Sequence, residues 1–270
     1  MKFTVCGSGD AIGVPGVFCR CANCMSARRN GGREKRSRTG FLLGNTIKFD
    51  FGPDTPMQAR EQGFDLAELK YLFVTHSHSD HFCPEELWNQ TLGIFREEPV
   101  LTVFGNAATL AALASYHAFG IPIRSRLLHS GETVRIGPVE VTAIATKHIP
   151  TEECLMYLIE TPGENVLIAT DSDRFPESAY TLLQGHRVDH LFIDATWGVK
   201  HRENEGHMGL SAIRDVVVRL LAQNILHKAS YVRPIHISHL APPSKGDSAV
   251  KEIETLQIEW SYDGLTLKLF

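Results

Sequence analysis

The stretch Thr75-His76-Ser77-His78-Ser79-Asp80-His81 decides how the chain is read. It is an H-x-H-x-D-H cluster directly after the apolar run Tyr71-Leu72-Phe73-Val74. Such a run reads as a buried strand, and four metal-capable side chains then crowd its exit into a loop. Polar groups in that position are costly unless something binds them. Residues two apart in extended backbone share a side, so His76 and His78 can meet one ion. Asp80 and His81 are displaced from that pair and can serve a second ion nearby. Imidazole combined with carboxylate suits Zn, Mn, Fe or Ni better than Ca or Mg.

A site of this kind needs further ligands from distant segments, and three stand at the ends of expected strands. His148 follows Val139–Ala145, Asp171 ends the run Leu167-Ile168-Ala169-Thr170, and His236 lies near the end of Val232–Ile237. Strand ends hold a ligand with little residual motion.

A second constellation lies upstream, in Cys19-Arg20-Cys21-Ala22-Asn23-Cys24. Three thiols in six residues read as metal ligands, one short of a closed tetrahedral site. His239, three residues after His236, is the best candidate for the fourth. Cys6, Cys83 and Cys154 sit singly and read as small buried apolar residues.

The motif series H-x-H-x-D-H, His, Asp, His resembles the metallo-β-lactamase superfamily. That resemblance implies a four-layer αββα sandwich, an α/β fold, with two metals in the active site. It implies that His76, His78 and His148 bind one metal, that Asp80, His81 and His236 bind the other, and that Asp171 bridges them. Asp50, in Ile47-Lys48-Phe49-Asp50-Phe51-Gly52, matches an early Asp that supports the site by hydrogen bonds. The segment Gly7-Ser8-Gly9-Asp10-Ala11-Ile12-Gly13-Val14-Pro15, the C-x-C-x-x-C element, His236-Ile237-Ser238-His239 and Tyr262-Asp263-Gly264 are similar to the PhnP type of phosphodiesterase. In that type, the positions of Cys19, Cys21, Cys24 and His239 hold a structural zinc. His207 resembles a loop histidine used near the leaving group, with His201 as a nearby rival.

Composition sets the outer limits. The chain has 270 residues, 43% hydrophobic and 21% charged, with a net charge of −4. Those proportions are ordinary for a globular protein, and the net charge gives no overall attraction to nucleic acid. A local basic run, Arg28, Arg29, Arg33, Lys35, Arg36 and Arg38, reads either as a solvated face or as a phosphate-facing patch. The N-terminal apolar segment is too short for a signal peptide, and no apolar run approaches the length of a membrane span. The expected location is therefore cytoplasmic.

Short apolar runs punctuated by Gly, Pro, Asn or Asp predict a strand-rich chain. Helices are expected over Pro84–Arg96, Asn106–Phe119, Glu177–Gln184 and Ser211–Gln223. Asp263-Gly264 predicts a hairpin between Ile258–Tyr262 and Thr266–Phe270, and Gly44-Asn45 another. Strands outnumber helices, which favours two packed sheets with helices outside. No repeat or linker divides the sequence, so residues 1–270 read as a single hydrolase domain.

The function implied is hydrolysis of a small phosphodiester, notably of the phosphoribosyl cyclic phosphate kind, by a hydroxide activated between two divalent metals (Zn, Mn or Fe). Asp80 would help orient that hydroxide and His207 would assist the leaving group. The alternatives are a ribonuclease Z-like nuclease, a lactonase, thioesterase or β-lactamase on the same fold, and a non-catalytic metal protein like PqqB. The expected partner is the small substrate, with no membrane. Nucleic acid is disfavoured by charge, and homodimerisation is left open.

Overall fold

The computed structural model describes residues 1–87, 101–117, 123–199, 206–241 and 257–270. Two seven-stranded sheets organise them. The first runs β14 (Thr266–Lys268), β1 (Lys2–Gly7), β2 (Gly40–Leu43), β3 (Ile47–Phe49), β4 (Tyr71–Phe73), β5 (Leu101–Gly105) and β6 (Ile123–Leu127). The second runs β13 (Gln257–Ile258), β12 (Tyr231–Ile235), β11 (His190–Asp194), β10 (Val166–Ala169), β9 (Leu155–Glu160), β8 (Val139–Ala145) and β7 (Thr133–Ile136). Each sheet is antiparallel on one side and parallel on the other. Strands β3 to β6 are parallel in the first, and β10 to β13 in the second.

Period-two alternation explains how the sheets stack. Phe3, Val5, Phe41, Phe49 and Phe73 of the first sheet meet Tyr157, Ile168 and Phe192 of the second in one buried cluster. The rings interlock, with Phe41 and Phe192 edge to face at 5.2 Å. The opposite faces are covered by helices. Helix α5 (Glu177–Leu183) and helix α6 (Leu210–Ala222) bury Tyr180, Leu183, Ile213, Val216, Val217 and Leu220 against the second sheet. Helix α4 (Ala107–His117) packs Leu113 beside Leu42 and Leu72 of the first. Both faces of the central strands are thus dry, and strands such as Leu155–Glu160 are almost uniformly apolar. The result is the expected four-layer αββα sandwich. Among the described residues no helix is long and apolar enough to cross a membrane.

Three sequence expectations need correction. The Asp263-Gly264 turn does not close a hairpin: Gln257–Ile258 pairs with β12 in the second sheet, while Thr266–Lys268 pairs with β1 in the first. The turn therefore carries the chain from one sheet to the other. Helices α1 (Ala22–Asn30) and α2 (Thr55–Gln62) and the edge strands β6 and β7 were not anticipated. Exposed polar residues dominate β6, whose pattern is one buried residue and four exposed, so apolar periodicity carried no signal there. Finally, much of the basic run is structural. Arg36 is buried and bonds to Ser8 and Ser261, Arg28 caps the carbonyls of Gly16 and Cys19, and Arg38 pairs with Asp54. The Pro84–Arg96 helix is seen as α3 (Pro84–Leu87), and residues 88–96 lie outside the described residues, as does His201.

The fold delivers five chain segments to one edge, all at the C-terminal ends of parallel strands. Asp50 follows β3, the His76–His81 loop follows β4, Asp171 follows β10, Asp194 ends β11 and His236 follows β12. Strand β9 anchors the β4 exit. Tyr157 donates its hydroxyl to the Val74 carbonyl at 2.6 Å, and Leu155 N–H donates to the Thr75 carbonyl at 2.9 Å.

Candidate metal centres

Two ligand sets meet at this edge. His76, His78 and His148 form one, and Asp80, His81, Asp171 and His236 the other, with the ligand atoms of each set within 4.8 Å of one another. Asp171 lies between them. Its Oδ1 is 3.4 Å from His236 Nε2, 3.7 Å from His148 Nε2 and 4.0 Å from His76 Nε2, and its Oδ2 is 2.9 Å from His81 Nε2. The side chains named from the motif series therefore come together in space, in groups that could each hold an ion.

The ring nitrogens set these histidines apart from merely packed ones. The single hydroxyl proton of Thr75 is drawn to Asp50, 3.0 Å from Oγ1, so the Nδ1–H of His76 donates to that hydroxyl oxygen at 3.0 Å. His81 Nδ1–H donates to Asp50 Oδ2 at 2.6 Å. His148 Nδ1–H donates to the Gly206 carbonyl at 2.8 Å, and His236 Nδ1–H to Thr196 Oγ1 at 2.9 Å. Four rings therefore have Nδ1 anchored on protein oxygen and present Nε2 to the centre. That is the outer-shell arrangement that fixes tautomer and direction in metal sites. His76 Nε2 is buried with no hydrogen-bond partner, a lone pair aimed at the position of an ion.

The electrostatics agree. Burial, reinforced by the neighbouring His81, holds His76 well below the ordinary histidine range, so it is a neutral donor. Burial likewise lowers His148. Burial opposes charge on Asp80 and Asp171 too, yet His81 and His236 keep both carboxylates ionised. In return the carboxylates raise His81 well above its usual value despite its burial. Neutral His76 and His148 beside ionised carboxylates, with His81 able to give up its Nε2 proton to an ion, form the donor set that a divalent metal of the Zn, Mn or Fe kind takes.

Three of the four non-glycine residues with positive φ among those described, Asp50 (59°), Asp171 (50°) and His236 (56°), belong to this site. Left-handed backbone costs a non-glycine residue on the order of 1 kcal/mol or more. The strain turns each side chain back over its strand end toward the centre.

Several supporting groups carried no sequence motif. Glu152 accepts from Ser77 N–H at 2.8 Å and Ser77 Oγ at 2.6 Å, gripping the residue between His76 and His78. Asp194 accepts from His207 Nδ1–H at 2.7 Å and from the backbone of Thr196 and Met208 at 3.0 Å. His207 sits against both ligand sets, with its ring 4.7 Å from that of His148 and stacked on that of His236 at 5.3 Å. Burial disfavours its charge, but Asp194 and then Asp171 override this and push it up to about 9. Spacing alone could not pair Asp194 with His207, which stand 13 residues apart in the sequence.

The cysteine element forms a separate centre. Cys19, Cys21, Cys24 and His239 come together with ligand atoms within 4.8 Å of one another. His239 Nδ1 is 3.4 Å from Cys19 Sγ and 3.5 Å from Cys21 Sγ. A tetrahedral zinc with Zn–S of about 2.3 Å and Zn–N of about 2.0 Å sets S and N about 3.5 Å apart. The His239 bond pulls Cys21 down to about 6, and backbone N–H groups of Gly16, Cys21 and Cys24 point at the three sulfurs. This group fits a structural metal. The paired His/Asp sets fit a dinuclear one.

The pattern of the β-lactamase superfamily domain matches residues 27–248, so the chain belongs to that family, and its buried His/Asp cluster fits a metal site. It is 34% identical over 276 residues to the octanoyltransferase of Porphyromonas gingivalis, a match that covers 98% of this chain and 51% of that protein. The chain thus spans about half the length of this relative. It is 32% identical over 112 residues to ribonuclease Z of Archaeoglobus fulgidus, covering 39% of this chain and 36% of that one. Among solved structures it resembles a new diphosphatase from the PhnP family, with TM-score 0.78, 23% identity and coverage of 98% and 96%. At that identity the likeness carries the fold alone.

Proposed function

We propose that the chain is a two-metal phosphodiester hydrolase acting on a small phosphodiester. The observation that carries the reading is His207. A histidine held protonated by Asp194 stands against both ligand sets, where a departing alkoxide needs a proton. A hydrolase that expels a thiolate has less need of such a donor, because a thiolate is a stable leaving group.

His76, His78 and His148 would hold one ion, Asp80, His81 and His236 the other, and Asp171 both. When bound, such a pair supplies a nucleophile at neutral pH and neutralises charge on the phosphoryl oxygens. The chain's own residues do the rest. Asp80 and Asp171 supply the negative charge that keeps two cations close together. His207 holds a proton on Nε2 while Nδ1–H is fixed on Asp194, so the proton faces the site. Thr146, Lys147, Glu152 and Gly206 border a cavity of about 430 Å³ beside His148, which would take part of the substrate. The partial match to ribonuclease Z supports phosphoryl chemistry. A net charge of −4 favours a small diester over RNA.

A second reading is acyl hydrolysis. It is favoured by the 34% identity, over nearly the whole chain, to a protein named octanoyltransferase. Metal-loaded protein assayed on bis-p-nitrophenyl phosphate and on an octanoyl thioester separates the two. We expect metal-dependent cleavage of the diester and a content of about three metals per chain, counting two in the active site and one on the cysteines. Thioester cleavage without diester cleavage would replace the first reading by the second.

A further inference from the structure

We infer that Asp263 is a positioning residue for both metal centres, through a buried clamp on the strand end that carries His236 and His239. Its carboxylate accepts four hydrogen bonds. Oδ1 receives Ser8 N–H at 2.9 Å and Ser8 Oγ at 2.7 Å, and Oδ2 receives Ser37 N–H at 2.6 Å and Ser37 Oγ at 2.7 Å. Arg36 completes the knot, donating to Ser8 Oγ at 2.8 Å and to the Ser261 carbonyl. One carboxylate thus joins three segments that are far apart in sequence.

The Ser8–Asp10 segment reaches the strand end that carries His236 and His239. The Ser8 carbonyl accepts Ile237 N–H at 3.0 Å, and Asp10 N–H donates to the Ile237 carbonyl at 3.2 Å. Ile237 follows His236, a ligand of the active-site pair, and precedes His239, the ligand of the cysteine centre, by two residues. His236 has φ of 56°, so its backbone keeps that conformation only while its neighbours hold it. Thr196 secures the other side, accepting from His236 Nδ1 and donating to the His236 carbonyl at 3.1 Å. Releasing Asp263 frees the Ser8–Asp10 segment, lets Ile237 shift, and moves two ligands of two different centres at once.

The inference rests on the two-centre reading of the ligands and not on the substrate, so metal affinity tests it whatever bond is cut. Asp189 provides the control. It is a similarly bonded carboxylate, receiving Asn165 N–H, Arg187 Nε and His227 Nε2, but it stands at the start of β11, the opposite end from Asp194. Zinc dissociation constants are measured by competition with a chromophoric chelator, alongside melting temperatures of the metal-free proteins. We expect Asp263→Ala to weaken binding at both centres by about 10–100-fold, the range for groups that orient metal ligands. We expect Asp189→Ala to lower the melting temperature without that loss. Added zinc should restore the occupancy of Asp263→Ala. Ser37→Ala, which removes one bond, should shift affinity in the same direction by a smaller factor and serves if Asp263→Ala fails to fold. Unchanged affinity in these variants, or a loss equal to that of Asp189→Ala, overturns the clamp. Wild-type protein that binds fewer than two metals overturns the two-centre reading and the clamp with it.

Discussion

The Nδ1 of His81 and the Oδ2 of Asp50 lie 2.6 Å apart with both side chains fully buried. Asp50 also receives Thr75 N–H at 2.8 Å and the Thr75 hydroxyl. One carboxylate outside the ligand sets therefore orients His81 directly and His76 through Thr75, one ring from each half of the pair. Asp50→Ala should weaken metal binding in the active site by about 10–100-fold while leaving the cysteine centre loaded. Metal analysis after gel filtration checks this, and full retention of all metals would refute it.

His81 and His236 are both raised in the metal-free protein, against their burial, by the surrounding carboxylates led by Asp171. A metal must displace those protons from Nε2, so uptake releases protons and affinity rises with pH. The linkage to folding has the opposite sign. Groups raised above the unfolded value of about 6.5 stabilise the metal-free fold fully below that pH and lose the contribution as pH climbs through their folded values. Calorimetry of metal binding in buffers of different ionisation enthalpy should register proton release. Identical heats in every buffer would exclude it.

His207→Ala should depress kcat on a diester with an alkyl alcohol leaving group by about 10²–10⁴-fold, the usual contribution of a placed general acid. On bis-p-nitrophenyl phosphate the loss should be far smaller, because p-nitrophenolate leaves without a proton. Equal losses on the two substrates would show that His207 does not serve the leaving group. Asp194→Asn should follow the same pattern in milder form, since it removes the charge that keeps His207 protonated.

Glu152→Ala removes both acceptors that hold Ser77 and one that holds Asn106. The His76–His78 loop then loses its brace, and occupancy of that half of the pair should fall before the other half. Titration with Co²⁺ as a spectroscopic probe resolves the two sites. Simultaneous loss from both would count against the assignment.

Cys21→Ser removes a ligand whose thiol is pulled down to about 6 by His239. The protein should lose about one zinc per chain and melt at lower temperature, because a structural zinc contributes directly to folding. Since His239 and His236 share one strand end, active-site metal should also become less tightly held. Wild-type zinc content and melting temperature in this variant would refute a structural metal.

The sequence was legible where chemistry is concentrated. Four ligands stand within His76–His81, three thiols within Cys19–Cys24, and both patterns survive any small error in strand boundaries. Two-sheet stacking was also legible, because strands buried on both faces need apolar runs. The edge strand Ile123–Leu127 was not, since an edge facing solvent has no need of apolar residues. The last turn was misread because Asp263-Gly264 has the composition of a hairpin. Which strands flank such a turn is decided by pairing with β1 and β12, far away in the chain.

By itself the sequence determined the candidate donor residues, the class of metal they suit and the layered fold that carries them. These follow from residue type and short-range period, which are local properties. Only the tertiary structure decided which nitrogen of each histidine faces the ion, that Asp194 charges His207, that Glu152 grips Ser77, and that Asp263 ties the chain's last turn to His236. The bonds Asp194–His207, Glu152–Ser77 and Asp263–Ser8, at 2.7, 2.6 and 2.7 Å, join residues 13, 75 and 255 positions apart. No spacing rule encodes such a bond. It exists because the C-terminal ends of parallel strands from two sheets converge on one edge, where buried polar groups must find one another or an ion.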